Sequence, residues 1–569
     1  MANTREITYY DVSPYAALSA RGEILSGGGQ IQDFSDLRKL FAENITYRSI
    51  QTCEHNYMIL DGEHKEFSET GEDIAAWSIE QSLYLSRMLP QSVKLDISFG
   101  GLQSGPGIAF YFDIKNNIWC DMLRVKWHRD NNLLSDRTFY PDSPAYSCEN
   151  KVDLYNRVEI EFMRMNMPRR YLKLEAALFG LVRVFGDGDL ENITINEGFD
   201  PTGRTLYINS ANFTVNTKDE LPYIFLKRQP LHIRYFCEQS SEWLYMGSYY
   251  IDKSKKFADG KYSVETVDKI GVLDASDDFM GGIYDGANIT TAEELIDKIV
   301  NSRSFSQGQA QEKIFDIETD ESLKNIRIRG WLPVMKRREA LAQVALAIGA
   351  VIDDSRANCI KVRPADSVSG EIKYIGKDRV YQSGSVNIEF PCTAIELTEH
   401  NFTVSAKTKE LYNDAFAGEK LVKFSEPASN LTITNGTIIS SGANYALISS
   451  ANALVKCVLS GREYIDSKSS VIVRASDSDV LEGTQEKTEK IENFYLVNKD
   501  NSESVARRLY EYYIRRHVFD GDFLAGGEQT GDAVRIPAAS DDGISGQIEK
   551  LALSLGRRNI KARGIIRGD

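Results

Sequence analysis

The segment "MKRREALAQVALAIGAVID" (residues 335–353) predicts a buried helix and contains the longest apolar run of this 569-residue chain. Leu341, Val344 and Ile348 recur at the spacing of one helix face, so the helix is expected to pack against a core. Gly349 follows, and glycine commonly ends a helix because it adopts the left-handed conformation without strain. The next residues, "AVID", "DSRAN" and "CIKVRP", predict a hairpin packed on this helix.

Three cations, Lys336, Arg337 and Arg338, stand at the N-terminus of this helix, where the helix dipole favours acidic side chains. Each cation costs about 0.3–1 kcal/mol, whereas each buried aliphatic side chain contributes roughly 1.5–3 kcal/mol, so the helix is expected to form. Glu339 supplies half of a capping box, without the usual Ser or Thr at the N-cap. We interpret the cations either as an exposed, solvated turn or as subunit-interface residues that form salt bridges with an acidic neighbouring subunit.

The size and composition indicate an ordered protein of several domains. A chain of 569 residues is too long for a single core and predicts roughly three to five domains. Its residues are 42% hydrophobic and 26% charged, as in ordered globular proteins. The net charge of −15 repels nucleic acids and anionic lipids unless a local basic patch exists. We therefore expect protein or neutral partners and no nucleic-acid binding.

Cysteine usage and the first residues indicate folding in a cytosol. The seven cysteines are scattered without a C-x-x-C pair, so they are expected to be reduced. The N-terminus lacks a basic region followed by an apolar stretch, and no secretory signal is predicted. The apolar run of residues 340–352 is too short to cross a bilayer, so no membrane span is predicted either.

The rest of the sequence predicts a mainly β protein with α/β insertions. Short segments with partial apolar alternation, separated by Gly, Asn, Pro and Asp, predict strands and an N-terminal β-sandwich. The segment "TAEELIDKIV" predicts a helix with a capping box at Thr291 and Glu294. The segment "ESVARRLYEYYIRRHV" predicts an amphipathic helix near the C-terminus. A domain boundary is expected near residue 188, within the acidic turn "GDGDLEN".

The sequence lacks the motifs that would indicate an enzyme. It has no phosphate-binding loop and no G-x-S-x-G nucleophile elbow, and only six histidines. One segment gathers metal-ligand types, Cys53, His55, Asp61 and His64, but its spacing fits no zinc motif and favours a strand with surface histidines. A carboxylate pair for glycoside hydrolysis stays open, because its separation is a property of the fold. We predict no catalytic residue, metal or cofactor, and a protein that is not an enzyme.

Three tryptophans of the first β region, Trp77, Trp119 and Trp127, are candidates for an aromatic platform on which sugar rings stack, together with Tyr111. The same residues fit the core of a β-sandwich, because large aromatic side chains are mostly buried. We favour the core interpretation and keep the glycan platform as the alternative.

Four segments resemble those of tail proteins encoded by phages and prophages of Gram-positive bacteria. They are "EHNYMILDG" (residues 54–62), "MPRRYLKLEAALFG" (167–180), "DKIGVLD" (268–274) and "LPVMKRREALAQVALAIGAVIDDSR" (332–356). From about residue 190 onward, the chain resembles baseplate hub or tail-tip hub proteins, a class that includes the hub part of type VI secretion spikes. The block that begins "RREAL" (residues 337–341) in the last of these segments is a structural signature and carries no catalytic residue.

The resemblance implies two tube β-barrel domains per chain and a homotrimer whose pseudo-sixfold ring matches a hexameric tail tube. The implied partners are the tail tube protein, distal tail or baseplate ring proteins, and a spike or tape-measure protein. The implied location is the tail tip or baseplate of a virion or tail-like particle assembled in the bacterial cytoplasm. Whether the tail is contractile stays open.

Together the pattern and the resemblance predict six segments. They are an N-terminal arm with a short helix (1–44), a β-sandwich similar to carbohydrate-binding modules (45–187), a first tube β-barrel domain (188–290), an α/β insert (291–369), a second tube β-barrel domain (370–475), and a linker, helix and final β segment (476–569). Two alternative functions are kept: an adhesin that binds a receptor or cell-surface glycan through the sandwich, and a tail-associated cell-wall hydrolase.

Overall fold

The computed structural model describes residues 4–12, 20–24, 51–52, 82–114, 116–170, 172–217, 230–237, 241–258, 260–302, 314–365, 369–381, 384–390, 392–475, 487–537 and 543–568. The chain forms two compact units. The N-terminal unit comprises Ile7–Phe185 and Ile224–Leu231, and the C-terminal unit comprises Met1–Glu6, Gly186–Tyr223 and His232–Asp569.

The N-terminal unit consists of antiparallel strands. They are β1 (Arg5–Val12, whose first two residues belong to the C-terminal unit), β2 (Arg21–Ile24), β3 (Gln51–Thr52), β4 (Met88–Phe112), β5 (Cys120–Arg129), β6 (Asn132–Phe139), β7 (Ala145–Met165) and β8 (Lys173–Phe185). One sheet has the order β6-β5-β7-β4-β2, and the other has the order β7-β4-β8-β1. The long strands β4 and β7 take part in both sheets, because register shifts interrupt their pairing near the middle.

Alternation along β5 shows how the sequence builds this sandwich. Leu123, Val125 and Trp127 are fully buried, and the residues between them are partly exposed. Side chains at every second position of a strand lie on the same face, so one face of β5 joins the core. The predicted N-terminal β-sandwich and the mainly β fold are confirmed.

The C-terminal unit begins with five strands: β9 (Leu190–Gly198), β10 (Ser210–Asn216), β11 (Pro230–Cys237), β12 (Glu242–Ala258) and β13 (Lys261–Val267). Strands β9, β10, β13 and β12 are neighbours in this order, and all these pairs are antiparallel.

An α/β region follows, with the predicted helices in place. Its helices are α1 (Lys269–Asp274), α2 (Ala292–Asn301), α3 (Glu321–Lys324) and α4 (Arg337–Ile348), with a 3₁₀ turn at Gly286–Asn288. Its strands are β14 (Gly282–Tyr284), β15 (Thr290–Thr291), β16 (Ile317–Thr319), β17 (Arg327–Ile328), β18 (Gly330–Leu332), β19 (Ala350–Asp353) and β20 (Ile360–Pro364). The capping box of α2 is present, and Gly349 ends α4 at φ 74°. Strands β19 and β20 form the predicted hairpin.

The remaining strands and the last helix complete the unit. They are β21 (Ser369–Tyr374), a 3₁₀ turn (Lys377–Arg379), β22 (Ser385–Ile388), β23 (Ala394–Glu399), β24 (Phe402–Lys423), β25 (Ala428–Thr434), β26 (Thr437–Gly442), β27 (Tyr445–Asp466), β28 (Ser469–Arg474), β29 (Thr488–Ile491), α5 (Ser502–Tyr513), β30 (His517–Ala525), β31 (Asp532–Ile536), β32 (Ile544–Leu555) and β33 (Ile560–Gly568).

One long sheet joins strands from opposite ends of the C-terminal unit. Strand β9 pairs antiparallel with β32, and Leu553 lies opposite Ile195. The sheet therefore runs β22-β30-β33-β32-β9-β10-β13-β12. The first half of β32 also pairs with β31, which pairs in parallel with β21.

Residues 370–475, predicted as a second tube β-barrel domain, lie in three sheets. Strands β21 and β22 belong to the long sheet, which β30–β33 complete from the predicted C-terminal segment. Strands β28, β23 and β29 form a separate sheet packed against α5. Strands β24 and β27, each of 22 residues, pair with each other and form the third sheet with β25 and β26.

Candidate functional site

The three cations at the start of α4 all pair with carboxylates of their own chain. Lys336 Nζ lies 3.2 Å from Asp278 Oδ1, Arg337 Nη2 lies 3.1 Å from Asp277 Oδ1, and Arg338 Nε lies 2.7 Å from Asp274 Oδ1. We call this set the charged junction; its members are Lys336, Arg337, Arg338, Asp274, Asp277 and Asp278. The junction joins the start of α4 to the end of α1 and the loop that follows.

Arg337 is the buried member of the charged junction, with only 1% of its side chain exposed. Its guanidinium donates to the backbone carbonyls of Ser302 at 2.6 Å, Asp277 at 3.1 Å and Ile299. Ile299 and Ser302 lie in the last turn and at the C-cap of α2, where helix carbonyls lack partners within the helix. The cation thus stabilises the negative end of the dipole of α2. The expectation of an exposed, solvated turn is wrong for Arg337.

Lys336 and Lys423 share the carboxylate of Asp278. Lys423 Nζ, on β24, lies 3.1 Å from Asp278 Oδ2, opposite the contact with Lys336. Hydrogen bonds from Lys423 and then from Lys336 lower the pKa of Asp278 below its usual value. The junction therefore also connects α4 to the long β24–β27 sheet.

Arg338 extends the junction towards the first strands of the unit. Besides its ion pair with Asp274, it donates from Nη1 to the carbonyl of Leu206 at 3.2 Å. Leu206 lies between β9 and β10, so Arg338 connects α4 with that part of the chain.

Two buried aspartates, Asp268 and Asp354, form an acid pair beside α1. Asp268 accepts hydrogen bonds from the backbone of Gly271 at 2.8 Å and of Asn209 at 2.6 Å. Burial raises the pKa of Asp268 well above its usual value, and the nearby charge of Asp354 raises it further. The folded protein therefore binds a proton on Asp268 more tightly than the unfolded chain does.

Lys269 balances the charge of the acid pair. Its backbone N–H donates to Asp354 Oδ2 at 2.9 Å, and its Nζ lies 3.8 Å from the same oxygen. Asp354 Oδ1 is buried and accepts from no N–H donor in the described part of the chain. When Asp268 is protonated, its hydroxyl can donate to Asp354, which leaves one lysine opposite one carboxylate. This arrangement holds the loop after β19 against the start of α1.

A second buried ion pair fixes the α/β region to the long sheet. Arg356 donates from Nε and Nη2 to the two carboxylate oxygens of Glu197, at 2.8 and 3.1 Å. Glu197 lies on β9, whereas Arg356 lies between β19 and β20. A two-bond contact of this kind fixes orientation as well as distance.

The sequence analysis did not identify the acidic partners of the cations. Asp274 is the last residue of the segment "DKIGVLD", and Asp277 and Asp278 lie just after it, so the three acids are close together in the sequence, as the three cations are. Two of the segments that carry the family resemblance, residues 268–274 and 332–356, thus contact each other in the fold. The acidic residues near one of these segments and the basic residues in the other were the signal that could have identified the ion pairs.

The structure separates the three tryptophans of the predicted glycan platform. Trp127 is buried in the sandwich core and packs edge-on against Phe139. Trp119 is half-buried, and its Nε1 donates to the carbonyl of Pro141 at 3.1 Å. Trp77 lies outside the described residues. Trp127 therefore cannot belong to an exposed platform.

The described residues show neither a metal site nor a membrane-spanning helix. The ligand-type residues Cys53, His55, Asp61 and His64 lie outside the described residues. Across the described ranges, the His, Cys, Asp and Glu side chains form no group of three or more that could hold a metal ion. None of the described helices is long and apolar enough to cross a membrane.

Three solved structures show what the chain resembles. The 43 kDa tail protein of prophage MuSo2 from Shewanella oneidensis is 9% identical with a TM-score of 0.36, and the match covers 68% of this chain and 94% of that chain. A tail protein from Neisseria meningitidis is 9% identical with a TM-score of 0.40 and coverages of 68% and 94%. The prophage tail protein gp18 from Listeria monocytogenes is 10% identical with a TM-score of 0.38 and coverages of 68% and 91%.

All three similar structures are tail proteins, two of them from prophages. No family model and no curated protein sequence matches the chain.

Proposed function

We propose that this chain is a structural hub subunit of a phage tail or tail-like injection particle. In this role, three copies join the tail tube protein to the distal baseplate, spike or tape-measure proteins at the tail tip. The single observation that carries the proposal is the long sheet, in which β9 and β32 join strands from opposite ends of the unit. The resemblance of residues 268–274 and 332–356 to hub proteins supports it.

The chemistry of the charged junction fits a scaffold better than an enzyme. Its cations and carboxylates pair with each other, and the acid pair and the Glu197–Arg356 pair are buried. Buried, mutually satisfied ion pairs fix one arrangement of the surrounding elements. Such an arrangement suits a subunit that transmits force between a tube and a spike, and we propose no catalytic activity.

The subunit interface is proposed to include the accessible members of the junction. Lys336 is 48% exposed, and Arg338 is partly exposed, whereas Arg337 is enclosed within its own chain. Lys336 and Arg338 are therefore the cations that an acidic neighbouring copy can reach. Screening by salt should weaken such contacts more than apolar ones.

Mass measurement in solution tests the proposed function. We expect a particle of three 64.0 kDa chains, either alone or after mixing with the tail tube protein of the same particle. A chain that stays monomeric with that tube protein present contradicts the proposal. Lys336→Glu tests the interface: we expect weaker assembly at low salt, with Lys468→Glu as a charge-matched control.

Zymography on purified peptidoglycan tests the hydrolase alternative. We expect no clearing by the full chain, with lysozyme as the positive control. Clearing that survives repeated purification would establish an activity that a scaffold does not require.

A further inference from the structure

An apolar turn protrudes from one end of the sandwich in the N-terminal unit. The turn precedes β4, and the exposed fractions are 50% for Leu83, 68% for Tyr84 and 93% for Leu85. The neighbouring turn after β7 adds Met167, which is also exposed. We call these four residues the apolar tip. Consecutive exposed apolar side chains on a protein surface mark an interaction site.

Backbone hydrogen bonds hold the apolar tip in one conformation. The N–H of Leu83 donates to the carbonyl of Met88 at 2.9 Å, and the N–H of Arg87 donates to the carbonyl of Leu83 at 2.9 Å. Ser82 ties the two turns together, because it donates to Arg170 at 3.1 Å and accepts from Arg169 at 2.8 Å. The apolar side chains are therefore presented by a braced structure, and binding through them requires little further ordering.

Asn166 connects the apolar tip to a second group of aromatic residues. Its backbone carbonyl accepts from Arg87 at 2.8 Å, and its backbone N–H donates to the carbonyl of Trp119 at 2.9 Å. The indole N–H of Trp119 donates to the carbonyl of Pro141, and the residue before Pro141 in the chain is Tyr140, whose ring is exposed. Tyr and Trp side chains combine an apolar body with a polar end, which suits a boundary between water and an apolar phase.

Among the described residues beside the apolar tip, arginines outnumber carboxylates. Arg87 and Arg164 share the single carboxylate of Asp121, at 3.0 and 2.7 Å. The exposed Arg169 lies over the ring of Tyr84, 5.6 Å from its centroid, without a carboxylate within ion-pair distance in the described residues. The positive charge of these described residues contrasts with the net charge of −15 for the chain. It is the kind of basic patch that permits contact with an anionic surface.

We propose that the apolar tip binds the surface of an anionic lipid bilayer, with its leucines among the acyl chains and Arg169 at the headgroups. The charge beside the tip complements anionic headgroups, and the apolar residues supply the insertion. A protruding tip needs a matching pocket on a protein partner, whereas a fluid bilayer adapts to its shape. This proposal is independent of the role as a tail hub.

Vesicle co-sedimentation of the full chain tests the proposal. The probes are vesicles of phosphatidylcholine with phosphatidylglycerol, and vesicles of phosphatidylcholine alone. We expect clear binding to the anionic vesicles, and loss of about tenfold or more in partitioning for each of Leu83→Asp and Leu85→Asp. Leu133→Asp is the matched control, because Leu133 is 54% exposed on β6 of the same sandwich and should not matter.

Arg169→Gln tests the electrostatic part without touching the apolar residues. It should reduce binding to anionic vesicles about fivefold and leave weak binding to neutral vesicles unchanged. Circular dichroism of each variant checks that the sandwich still folds. The proposal is overturned if the natural chain ignores both vesicle types, if it binds them equally, or if the folded leucine variants bind as well as the Leu133 control. A tip that instead mediates association between copies, seen as a smaller mass for the leucine variants without vesicles, also overturns it.

Discussion

Arg337 and Asp277 are joined twice: the guanidinium donates from Nη2 to the carboxylate and from Nε to the backbone carbonyl, both at 3.1 Å. The same guanidinium donates to carbonyls at the C-terminal end of α2. One side chain thus connects α4, α2 and the loop after α1, and the cation at the start of α4 acts at the end of another helix.

Removal of Arg337 should destabilise the C-terminal unit more than removal of either neighbouring cation. Arg337→Ala leaves buried carbonyls of Ile299 and Ser302 without a donor, so we expect a loss of about 3–5 kcal/mol in the free energy of unfolding. Lys336→Ala, which removes an exposed ion pair, should cost about 0–1 kcal/mol. Urea unfolding of both variants measures the difference. Equal effects would mean that the carbonyl contacts of Arg337 contribute little.

The acid pair predicts a stability that decreases with rising pH. Asp268 binds its proton more tightly in the folded chain, because burial and the charge of Asp354 raise its pKa. Its contribution is therefore complete below about pH 4, the usual pKa of an unfolded aspartate, and is lost as the pH rises through the folded-state pKa. Over that interval, this group lowers the free energy of unfolding by up to about 1.4 kcal/mol per pH unit.

Asp354→Asn tests the shared proton. The amide can accept from Lys269 N–H through its oxygen and donate to ionised Asp268 through its nitrogen, which replaces the titrating proton with a permanent one. We expect a flatter dependence of the unfolding free energy on pH above about pH 4, the usual pKa of an unfolded aspartate. Asp500→Asn, at an exposed site, should keep the dependence of the natural chain. An unchanged slope in Asp354→Asn would exclude the acid pair as its source.

Local signals in the sequence predicted the elements that depend on neighbouring residues. The capping box at Thr291 and Glu294 and the glycine after α4 determine where their helices begin and end, and both are present. Alternation of apolar residues identified the sandwich strands for the same reason, since burial on one face is a period-two property.

These local sequence signals do not predict which distant residues pair with each other in the fold. Strand β9 joins β32 across about 350 residues of sequence, and neither strand specifies its partner by composition. The partners of the three cations, Asp274, Asp277 and Asp278, lie about 60 residues before them, so helix rules applied to α4 alone made those cations look misplaced. The place of Arg337 is explained by the carbonyls at the C-terminal end of α2, which only the fold brings near.

A pair of glycines sets the distance between β32 and β33. Gly546 lies opposite Gly568, and a Cβ atom at Gly546 would clash with backbone atoms of Arg567 and Gly568. Backbone cannot rotate away as a side chain can, so we expect Gly546→Ala to cost about 1–3 kcal/mol or more. Gly188→Ala is the control, because no atom lies within 4 Å of its added methyl group. Thermal unfolding of the two variants measures the difference, and similar melting temperatures would contradict this account.

Trp127 should matter for the sandwich core and not for glycan binding. Trp127→Ala removes a fully buried side chain from a close-packed core, so we expect a loss of about 3–5 kcal/mol in the stability of the N-terminal unit. Trp119→Ala should cost less, because that side chain is only half-buried. Hydrogen exchange of the β5 and β7 amides follows this unit separately, and faster exchange in Trp127→Ala than in Trp119→Ala is the expected result. Faster exchange in Trp119→Ala instead would show that the half-buried indole of Trp119 supports the sandwich more than Trp127 does. A side chain that supports the fold is not free to stack on a sugar ring. That result would therefore also argue against Trp119 as part of a glycan platform.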